Sequence, residues 1–339
     1  MKRTLIFLLL VTIVSVFLLT GCGKQPTVGN EGDSGTQPQI VVYTSFYPLY
    51  DFTDKIGGER VDVHHLIPAG VDPHNWEPGP QALAHLSQAD LLVINGLGME
   101  PWVDKITDSI DGGLMVVNTS TGVEPLTNYG GHGHDDGDVH DNDAHDDENA
   151  HDNNDHDDEG DDHTGLPDPH IWLDPLLALH QAEQIAQALT GLDPEHADVY
   201  QDNLAEFTQR IKELDAEYRD VLGNAGRDKF IVTHLSFAYL AKRYGLEQLG
   251  ISGLSPHVEP SPAQMKGIVD FAREHGIRFI FQEPLASQRL ASVLAEEINA
   301  EILYLNPLEG LSEAEEAAGE DYFSVMRQNL EQLKIALAE

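Results

Sequence analysis

A five-residue motif, Asp-Pro-His-x-Trp, occurs at residues 72–76 and again at residues 168–172. A residue that precedes proline is driven out of helical geometry, so each motif predicts a turn at the exit from a strand. Each turn also presents a histidine, His74 in the first copy and His170 in the second. Two rigid loops that each present an imidazole suggest two halves of one metal site.

Short apolar runs alternate with amphipathic segments along most of the chain. Seven runs predict strands, four in a first series and three in a second, at residues 40–45, 61–67, 90–95, 115–118, 229–234, 277–283 and 301–305. Between the two series, apolar residues recur three or four positions apart, which predicts one long helix over residues 193–223. Because strands alternate with helices, we expect an α/β fold with mainly parallel sheets. The sequence thus predicts two similar lobes, residues 40–192 and 224–339, joined by one long backbone helix.

The charge of the chain is strongly negative and unevenly distributed. The 339 residues fit two domains, and their formal net charge of −39 argues against a nucleic-acid partner, because phosphate binding needs a basic surface. Fifteen of the acids lie in residues 131–163, which contain no Lys or Arg, and the rest of the chain carries −24. The folded body is therefore acidic as well.

The segment at residues 128–165 consists almost entirely of His, Asp, Asn, Gly and Glu. With so few apolar residues, we expect it to be disordered without metal and to form an insert within the first lobe. Clustered histidines in a low-complexity tract indicate a weak, multi-site metal collector, and a solvated acidic loop is the alternative. The seven histidines are His132, His134, His140, His145, His151, His156 and His163.

The N-terminus has the pattern of an export signal. A basic start precedes an apolar run at residues 5–19, which is shorter than the roughly 20 residues that a membrane-spanning helix needs. Residues 1–21 are therefore interpreted as a lipoprotein signal peptide and Cys22, the single cysteine, as the lipid-modified first residue of the mature protein; an unmodified thiol is the alternative. Residues 22–39 predict a flexible tether. This pattern predicts an extracytoplasmic protein, anchored to the bacterial cell membrane by the lipid on Cys22.

Four candidate metal ligands follow predicted strands or strand-like runs: His74, His170, His234 and Glu283. In α/β sheets, ligands bind beyond the carboxyl ends of the strands, so these side chains are expected to meet in the cleft between the lobes. Three imidazoles and one carboxylate match the ligand preferences and the tetrahedral geometry of Zn²⁺. Most other histidines are interpreted as ordinary strand or helix residues, and His257 is a minor candidate near the cleft.

Several motifs together resemble a known family. They are YTSFYPL at 43–49, PAGVDPH at 68–74, DPHIWLDP at 168–175, TH at 233–234, GISGLS at 250–255, FQE at 281–283 and LNPLE at 305–309. The chain from about residue 40 onward resembles the cluster A-I solute-binding lipoproteins of bacterial ABC importers for zinc and manganese, and most closely the zinc-type branch of AdcA-like and ZnuA-like proteins. The resemblance implies two α/β lobes bridged by one long helix, metal held between them, and an ABC permease with its ATPase as partners of a monomeric protein.

The same resemblance assigns the ligands. His74, His170 and His234 match the three nitrogen-ligand positions of the family, and manganese-type members have Glu at the third, so His234 favours Zn²⁺ over Mn²⁺. Many members have an Asp in the loop after the last strand, where this chain has Asn306. Because Asn is a poor zinc ligand, we assign the fourth position to Glu283, as zinc-type relatives suggest, with water as the alternative.

The function implied is high-affinity capture of extracellular Zn²⁺ and its delivery to a permease, without catalysis. Two other functions stay open at this point. Three protein ligands and a water also describe the catalytic site of a zinc-dependent hydrolase, although no His-Glu-x-x-His motif occurs. A metal-buffering surface adhesin, in which the His-rich tract is the working part, is the other alternative.

Overall fold

A computed structural model describes residues 39–107, 113–127, 165–284 and 287–338 of the chain. The described residues belong to one compact unit that begins at Gln39. The predicted signal peptide at residues 1–21, Cys22, nearly all of the tether and the seven histidines of the acidic insert lie outside them. Those features therefore stay predictions from the sequence.

The first half of the described chain forms a four-stranded parallel sheet. Its strands are β1 (Ile40–Thr44), β2 (Val61–His65), β3 (Leu91–Ile94) and β4 (Met115–Asn118), in the order β2-β1-β3-β4. The helices of this half are α1 (Tyr47–Gly57), α2 (Pro80–Leu86), α3 (Val103–Thr107) and α4 (Pro175–Leu192). Every side chain of β3 is buried, which fits the continuous apolar run of a central parallel strand.

A long helix, α5 (Ala197–Leu222), follows and separates the two sheets along the chain. Its 26 residues span roughly 39 Å at 1.5 Å per residue. Its buried face includes Phe207, Ile211, Leu214 and Tyr218, and it packs against α1 and α4 of the first half. The helix predicted over residues 193–223 is thus present, with its first turn replaced by a short 3₁₀ turn at Pro194–His196.

The second half repeats the arrangement of the first. Its strands are β5 (Lys229–Val232), β6 (Glu247–Gly250), β7 (Phe279–Gln282) and β8 (Glu301–Tyr304), in the order β6-β5-β7-β8, again all parallel. Its helices are α6 (Ala238–Tyr244), α7 (Pro262–Glu274), α8 (Gln288–Ile298), α9 (Glu313–Ala318) and α10 (Tyr322–Leu337). The α10 helix packs on α5, so α5 contacts both lobes. The predicted fold class, two similar α/β lobes joined by one long helix, is confirmed.

Two elements of the second lobe were not predicted. Strand β6 has a single large apolar residue, Leu249, and lies at the edge of its sheet, so it lacks the apolar run that marks the other strands. Helix α9 is short and has no buried residue; a capping box between Ser312 and Glu315 begins it. The domain boundaries at residues 40–192, 193–223 and 224–339 stay predictions.

Candidate metal centre

Three of the predicted ligands come together between the lobes. His74 lies in the loop between β2 and α2, His170 precedes α4, and His234 follows β5. The Nε2 atoms of His170 and His234 are 3.3 Å apart. A carboxylate oxygen, Oε1 of Glu309, lies 2.9 Å from Nε2 of His74, 3.3 Å from that of His170 and 3.2 Å from that of His234.

This spacing fits a tetrahedral metal ion. Ligand atoms at 2.0–2.1 Å from a tetrahedral zinc lie about 3.3 Å apart. One ligand atom from each of His74, His170, His234 and Glu309 lies within 4.8 Å of every other. The four side chains can therefore close on one small cation with slight movement of their tips.

The four groups are almost completely removed from water. The side chains of His170 and His234 are 0% exposed, and those of Glu309 and His74 are 7% and 10% exposed. Burial opposes ionisation of Glu309, but the neighbouring imidazoles outweigh it and hold the pKa of that carboxyl well below its usual value. The site thus contains a buried carboxylate whose negative charge is offset by the neighbouring imidazoles. A divalent cation bound by the four groups can offset that charge instead.

Burial also opposes protonation of the two innermost histidines, and neighbouring carboxylates outweigh it. Asp168 and Glu309 raise the pKa of His170 above its usual value. Glu283 and Glu309 raise the pKa of His234 well above its usual value. Protons therefore compete with a metal for both imidazoles at higher pH than they would for free histidine.

The outer nitrogens of the same two rings are fixed by carboxylates. Nδ1 of His170 lies 2.7 Å from Oδ1 of Asp168, and Nδ1 of His234 lies 2.6 Å from Oε1 of Glu283. A carboxylate at Nδ1 holds the proton there, which leaves the lone pair of Nε2 directed into the cluster. Asp168 and Glu283 therefore fix the orientation of the two rings, with each Nε2 facing the cluster.

Glu283, which the sequence suggested as the fourth ligand, is placed differently from that expectation. Its Oε1 is occupied by the backbone N–H of His234 at 3.1 Å, by the hydroxyl of Thr233 and by the outer nitrogen of His234. The two nitrogens of an imidazole point to opposite sides of the ring, so this oxygen faces away from the Nε2 cluster. The structure brings Glu309 to that cluster instead.

Glu309 was missed because of the turn that delivers it. Asn306 builds that turn: its Oδ1 accepts a hydrogen bond from the backbone N–H of Leu308 at 2.8 Å. Leu308 has a φ of 59°, in the left-handed region that is unusual for leucine. The side chain of Asn329, on α10, holds the backbone of Asn306: its Oδ1 accepts from the N–H of Asn306 at 2.8 Å, and its Nδ2 donates to the carbonyl of Asn306 at 2.7 Å. The sequence signal for Glu309 was an acidic residue three positions after Asn306, in the Asn-Pro turn that follows the last strand.

The two Asp-Pro-His loops share one local hydrogen bond. Oδ1 of Asp72 accepts from the backbone N–H of His74 at 2.8 Å, and Oδ1 of Asp168 accepts from that of His170 at 2.9 Å. This Asx-type turn explains the motif, since the aspartate fixes the backbone of the residue that carries the imidazole.

The tryptophans of the two motifs pack against neighbouring aromatic rings. Trp172 is fully buried, 4.6 Å from the ring of Phe46, and its Nε1 donates to the carbonyl of Pro307 at 2.7 Å. Trp76 is half-buried and lies 5.6 Å from the ring of Trp102. Trp172 thereby joins the second motif to the loop that carries Glu309.

A tyrosine from the second lobe holds the second motif. The hydroxyl of Tyr239, on α6, donates to the carbonyl of Asp168 at 2.9 Å and accepts from the backbone N–H of Leu126 at 3.0 Å. The backbone N–H of Asp168 also donates to the carbonyl of Leu126 at 2.8 Å. The chain segments on either side of the acidic insert are thus hydrogen-bonded to each other beside His170.

The other described histidines lie outside the cluster. They are His64, His65, His85, His180, His196, His257 and His275. His65 and His180 contact backbone carbonyls, and His196 contacts Asp193.

None of the helices in the described residues has an apolar stretch long enough to cross a bilayer.

Fold and site together define the class: a two-lobed metal-binding protein that holds its ion between α/β lobes. Known proteins support this class and narrow it. Residues 42–336 match the family described as "Zinc-uptake complex component A periplasmic". The chain is 38% identical, over 97% of its own length and 97% of the other's, to the high-affinity zinc uptake system protein ZnuA of Bacillus subtilis.

Two further relatives agree. The zinc-binding lipoprotein AdcA of Streptococcus pneumoniae is 35% identical over 97% of this chain, which spans 60% of the length of AdcA. The solved structure of the Zn(II)-bound ZnuA-like domain of AdcA from the same species is 32% identical, with a TM-score of 0.71, and covers 89% of this chain and 100% of that domain. The chain therefore belongs to the ZnuA family, the zinc-type solute-binding proteins of ABC importers.

Proposed function

We propose that this chain captures one Zn²⁺ ion with His74, His170, His234 and Glu309 and delivers it to the permease of an ABC importer. The observation that carries this proposal is that one carboxylate oxygen of Glu309 lies 2.9–3.3 Å from the Nε2 atoms of three histidines, in a member of a zinc-uptake family. Imidazoles directed by carboxylates favour Zn²⁺ over Mn²⁺, which prefers a larger set of oxygen ligands.

The fourth ligand in this proposal is Glu309 and not Glu283. Glu309 Oε1 lies on the Nε2 side of all three imidazoles, whereas Glu283 lies on the Nδ1 side of His234. The role proposed for Glu283 is to hold the proton of His234 on the outer nitrogen. A ligand and an orienting group differ in the size of their effect on affinity, so the two roles can be separated.

Equilibrium titration with Zn²⁺ against a competing chelator tests the assignment. We expect one tightly bound ion per chain, a loss of affinity of roughly 100-fold or more in Glu309→Gln, and a loss of about tenfold in Glu283→Gln. The two variants are matched, since each neutralises one buried carboxylate without changing its volume. A larger loss in Glu283→Gln than in Glu309→Gln would return the fourth ligand to Glu283.

An enzymatic function is not part of the proposal. A catalytic zinc site keeps one coordination position open for water, whereas here four protein groups fill a tetrahedral shell. A screen of ester, peptide and phosphate substrates with the zinc-loaded protein checks this point. Turnover that disappears with Zn²⁺ removal would favour the zinc-dependent hydrolase.

Location and assembly rest on the sequence and the family. Proteins of this family work with an ABC permease and ATPase, and a relative is named a lipoprotein. We propose extracytoplasmic anchoring of this chain through a lipid on Cys22 and a monomeric working state. Replacement Cys22→Ala should release the protein from the membrane fraction of expressing bacteria, and retention in that fraction would contradict the anchor.

For the His-rich insert we propose weak collection of Zn²⁺ near the buried site. Deletion of residues 130–164 should remove several weak binding events and leave the tight one intact. If tight one-to-one binding disappeared with the insert, the metal-buffering adhesin would become the better description and the buried cluster would lose its role.

A further inference from the structure

A second pairing of imidazole and carboxylate lies outside the buried cluster. His257 belongs to the loop between β6 and α7 of the second lobe, and Asp72 belongs to the first Asp-Pro-His loop. Nε2 of His257 lies 3.2 Å from Oδ2 of Asp72, and the two side chains are 53% and 26% exposed. The pair therefore joins the two lobes at a position that water reaches.

Asp72, one member of this pair, lines a small cavity together with two buried carboxylates. Asp72 and Pro256, the residue before His257, line a cavity of about 20 Å³ whose other walls include Glu283 and Glu309. That volume is enough for a single water molecule or a bare ion. Asp72 touches the inner site as well, because its Oδ1 accepts the backbone N–H of His74. One carboxylate thus lies between an exposed imidazole and a buried ligand.

The chemistry of the pair suits transient zinc binding. Imidazole and carboxylate are both zinc ligands, and a separation of 3.2 Å is close to the roughly 3.3 Å between neighbouring ligands of tetrahedral zinc. Two protein ligands leave two positions for water, so an ion held here stays weakly bound and exchangeable. The nearest acid along the same loop, Glu259, pairs with Arg289.

We propose that His257 and Asp72 form a first-contact site, which takes partly hydrated Zn²⁺ from solution and passes it through the cavity to Glu309 and the three inner histidines. This inference rests on the proposed function. The ion exchanges waters for ligands one at a time along this route, which avoids complete dehydration in a single step.

A site that zinc only passes through changes the association and dissociation rates of zinc, but it does not change the free energies of the free and zinc-bound protein. Replacement His257→Gln should lower the zinc association and dissociation rates by one common factor, on the order of threefold to tenfold, and leave the equilibrium Kd unchanged. Stopped-flow mixing of the full mature chain with Zn²⁺, and of the loaded chain with excess EDTA, gives the two rates. Trp172, whose ring lies 5.2 Å from that of His170, supplies the fluorescence signal.

His64 offers a matched control. Its Nε2 also lies 3.2 Å from an aspartate oxygen, Oδ2 of Asp62, with comparable exposure of 43% and 52%, but neither residue lines the cavity. His64→Gln should leave both rates unchanged. Equal effects of His64→Gln and His257→Gln would reduce the first-contact site to general surface charge and overturn the proposal.

Two other outcomes also overturn it. Unchanged rates in His257→Gln would make the pair an ordinary surface contact. A faster dissociation with weaker Kd would make it a clasp between the lobes. If the wild-type chain bound no Zn²⁺ tightly, the proposed function itself would fail.

A second variant tests the carboxylate. Asp72→Asn keeps an oxygen for the backbone N–H of His74 and removes the anionic ligand. It should slow both rates as His257→Gln does, and the double variant should be no slower than either single one, because both residues act in one step. Additive slowing in the double variant would show two independent effects and contradict a shared site.

Discussion

The two Asp-Pro-His loops have the same local turn and very different surroundings. In the second loop, Asp168, His170 and Trp172 are all 0% exposed. In the first, His74 retains 10% side-chain exposure and Asp72 retains 26%. The second loop is fixed by contacts to Pro307 and to Tyr239 of the other lobe.

One motif therefore serves two structural roles. The aspartate-to-backbone hydrogen bond sets the direction of the imidazole in both loops, whatever surrounds them. Burial then decides how rigidly that imidazole is held and whether solvent can reach it. The second loop acts as the fixed wall of the site and the first as its accessible side.

Removal of each loop histidine gives the largest expected effect. Both His170→Ala and His74→Ala should weaken zinc binding by roughly 100-fold or more, because each removes one of the four proposed ligands. Only His170→Ala should also destabilise the metal-free protein, by about 3 kcal/mol, since it leaves the buried Asp168 without its imidazole partner. Chemical denaturation of the metal-free variants measures the difference. Equal loss of stability in both would remove the distinction between fixed and accessible loops.

The pH dependence of zinc binding sharpens the role of Asp168. The raised pKa values of His170 and His234 mean that protons begin to displace Zn²⁺ above pH 6.5, with Kd rising about tenfold per pH unit for each proton taken up. Asp168→Asn removes an anion that raises the pKa of His170, so the loss of affinity should begin at lower pH. Chelator competition between pH 5 and pH 8 measures both curves.

In the metal-free protein the same pKa shifts make the free energy of unfolding depend on pH, and for the two histidines this dependence runs opposite to that of zinc affinity. The raised pKa values of His170 and His234 add stability that is complete below about pH 6.5 and is lost as the pH rises through them. The lowered pKa of Glu309 adds stability that is present at any pH above the ordinary pKa of glutamate. That stability is lost as the pH falls through the lowered pKa. Zinc affinity that stayed constant down to pH 5 would contradict the imidazole ligands.

The tryptophans of the two motifs should respond unequally to the same replacement. Trp172→Phe leaves a cavity in the core and an unpaired carbonyl at Pro307, which should cost about 2–3 kcal/mol. Trp76→Phe, at a half-buried position, should cost about 1 kcal/mol. Thermal unfolding of both variants tests the ranking, and a reversed order would mean that the first loop is the better packed one.

Tyr239→Phe gives the smallest expected effect. It removes one hydroxyl that bonds Asp168 and Leu126, which should cost about 1–2 kcal/mol of stability. Because the ring is retained, the change should reach the zinc site only through Asp168, as dissociation faster by a few fold. Tyr244→Phe, which removes a hydroxyl bonded to Asp215, is the matched control and should not alter zinc dissociation.

The fold was largely accessible from the sequence because its signals are local. Buried parallel strands such as β3 are continuous apolar runs, and the long helix α5 shows its period in the spacing of Phe207, Ile211 and Leu214. Strand β6 was not predicted, because the sequence of an edge strand with one large apolar residue does not differ from that of a loop.

The site was accessible in part for the same reason. His74, His170 and His234 each follow a strand or a proline turn, and the family resemblance marks all three. The fourth group depends on a turn at Asn306, a left-handed Leu308 and a brace from Asn329. Those contacts lie in different parts of the chain, so the distance from Glu309 to the histidines could not be read from spacing.

The two Asp-Pro-His turns, the three imidazoles and the α/β lobes could be predicted from the sequence, since each follows from interactions between residues that are near neighbours along the chain. Long-range packing, in contrast, places Glu283 at the outer nitrogen of His234 and Glu309 at the inner one. It also decided that one copy of the motif is buried and the other reaches solvent. Burial is a property of what packs against a loop, and that packing comes from residues far away in the chain.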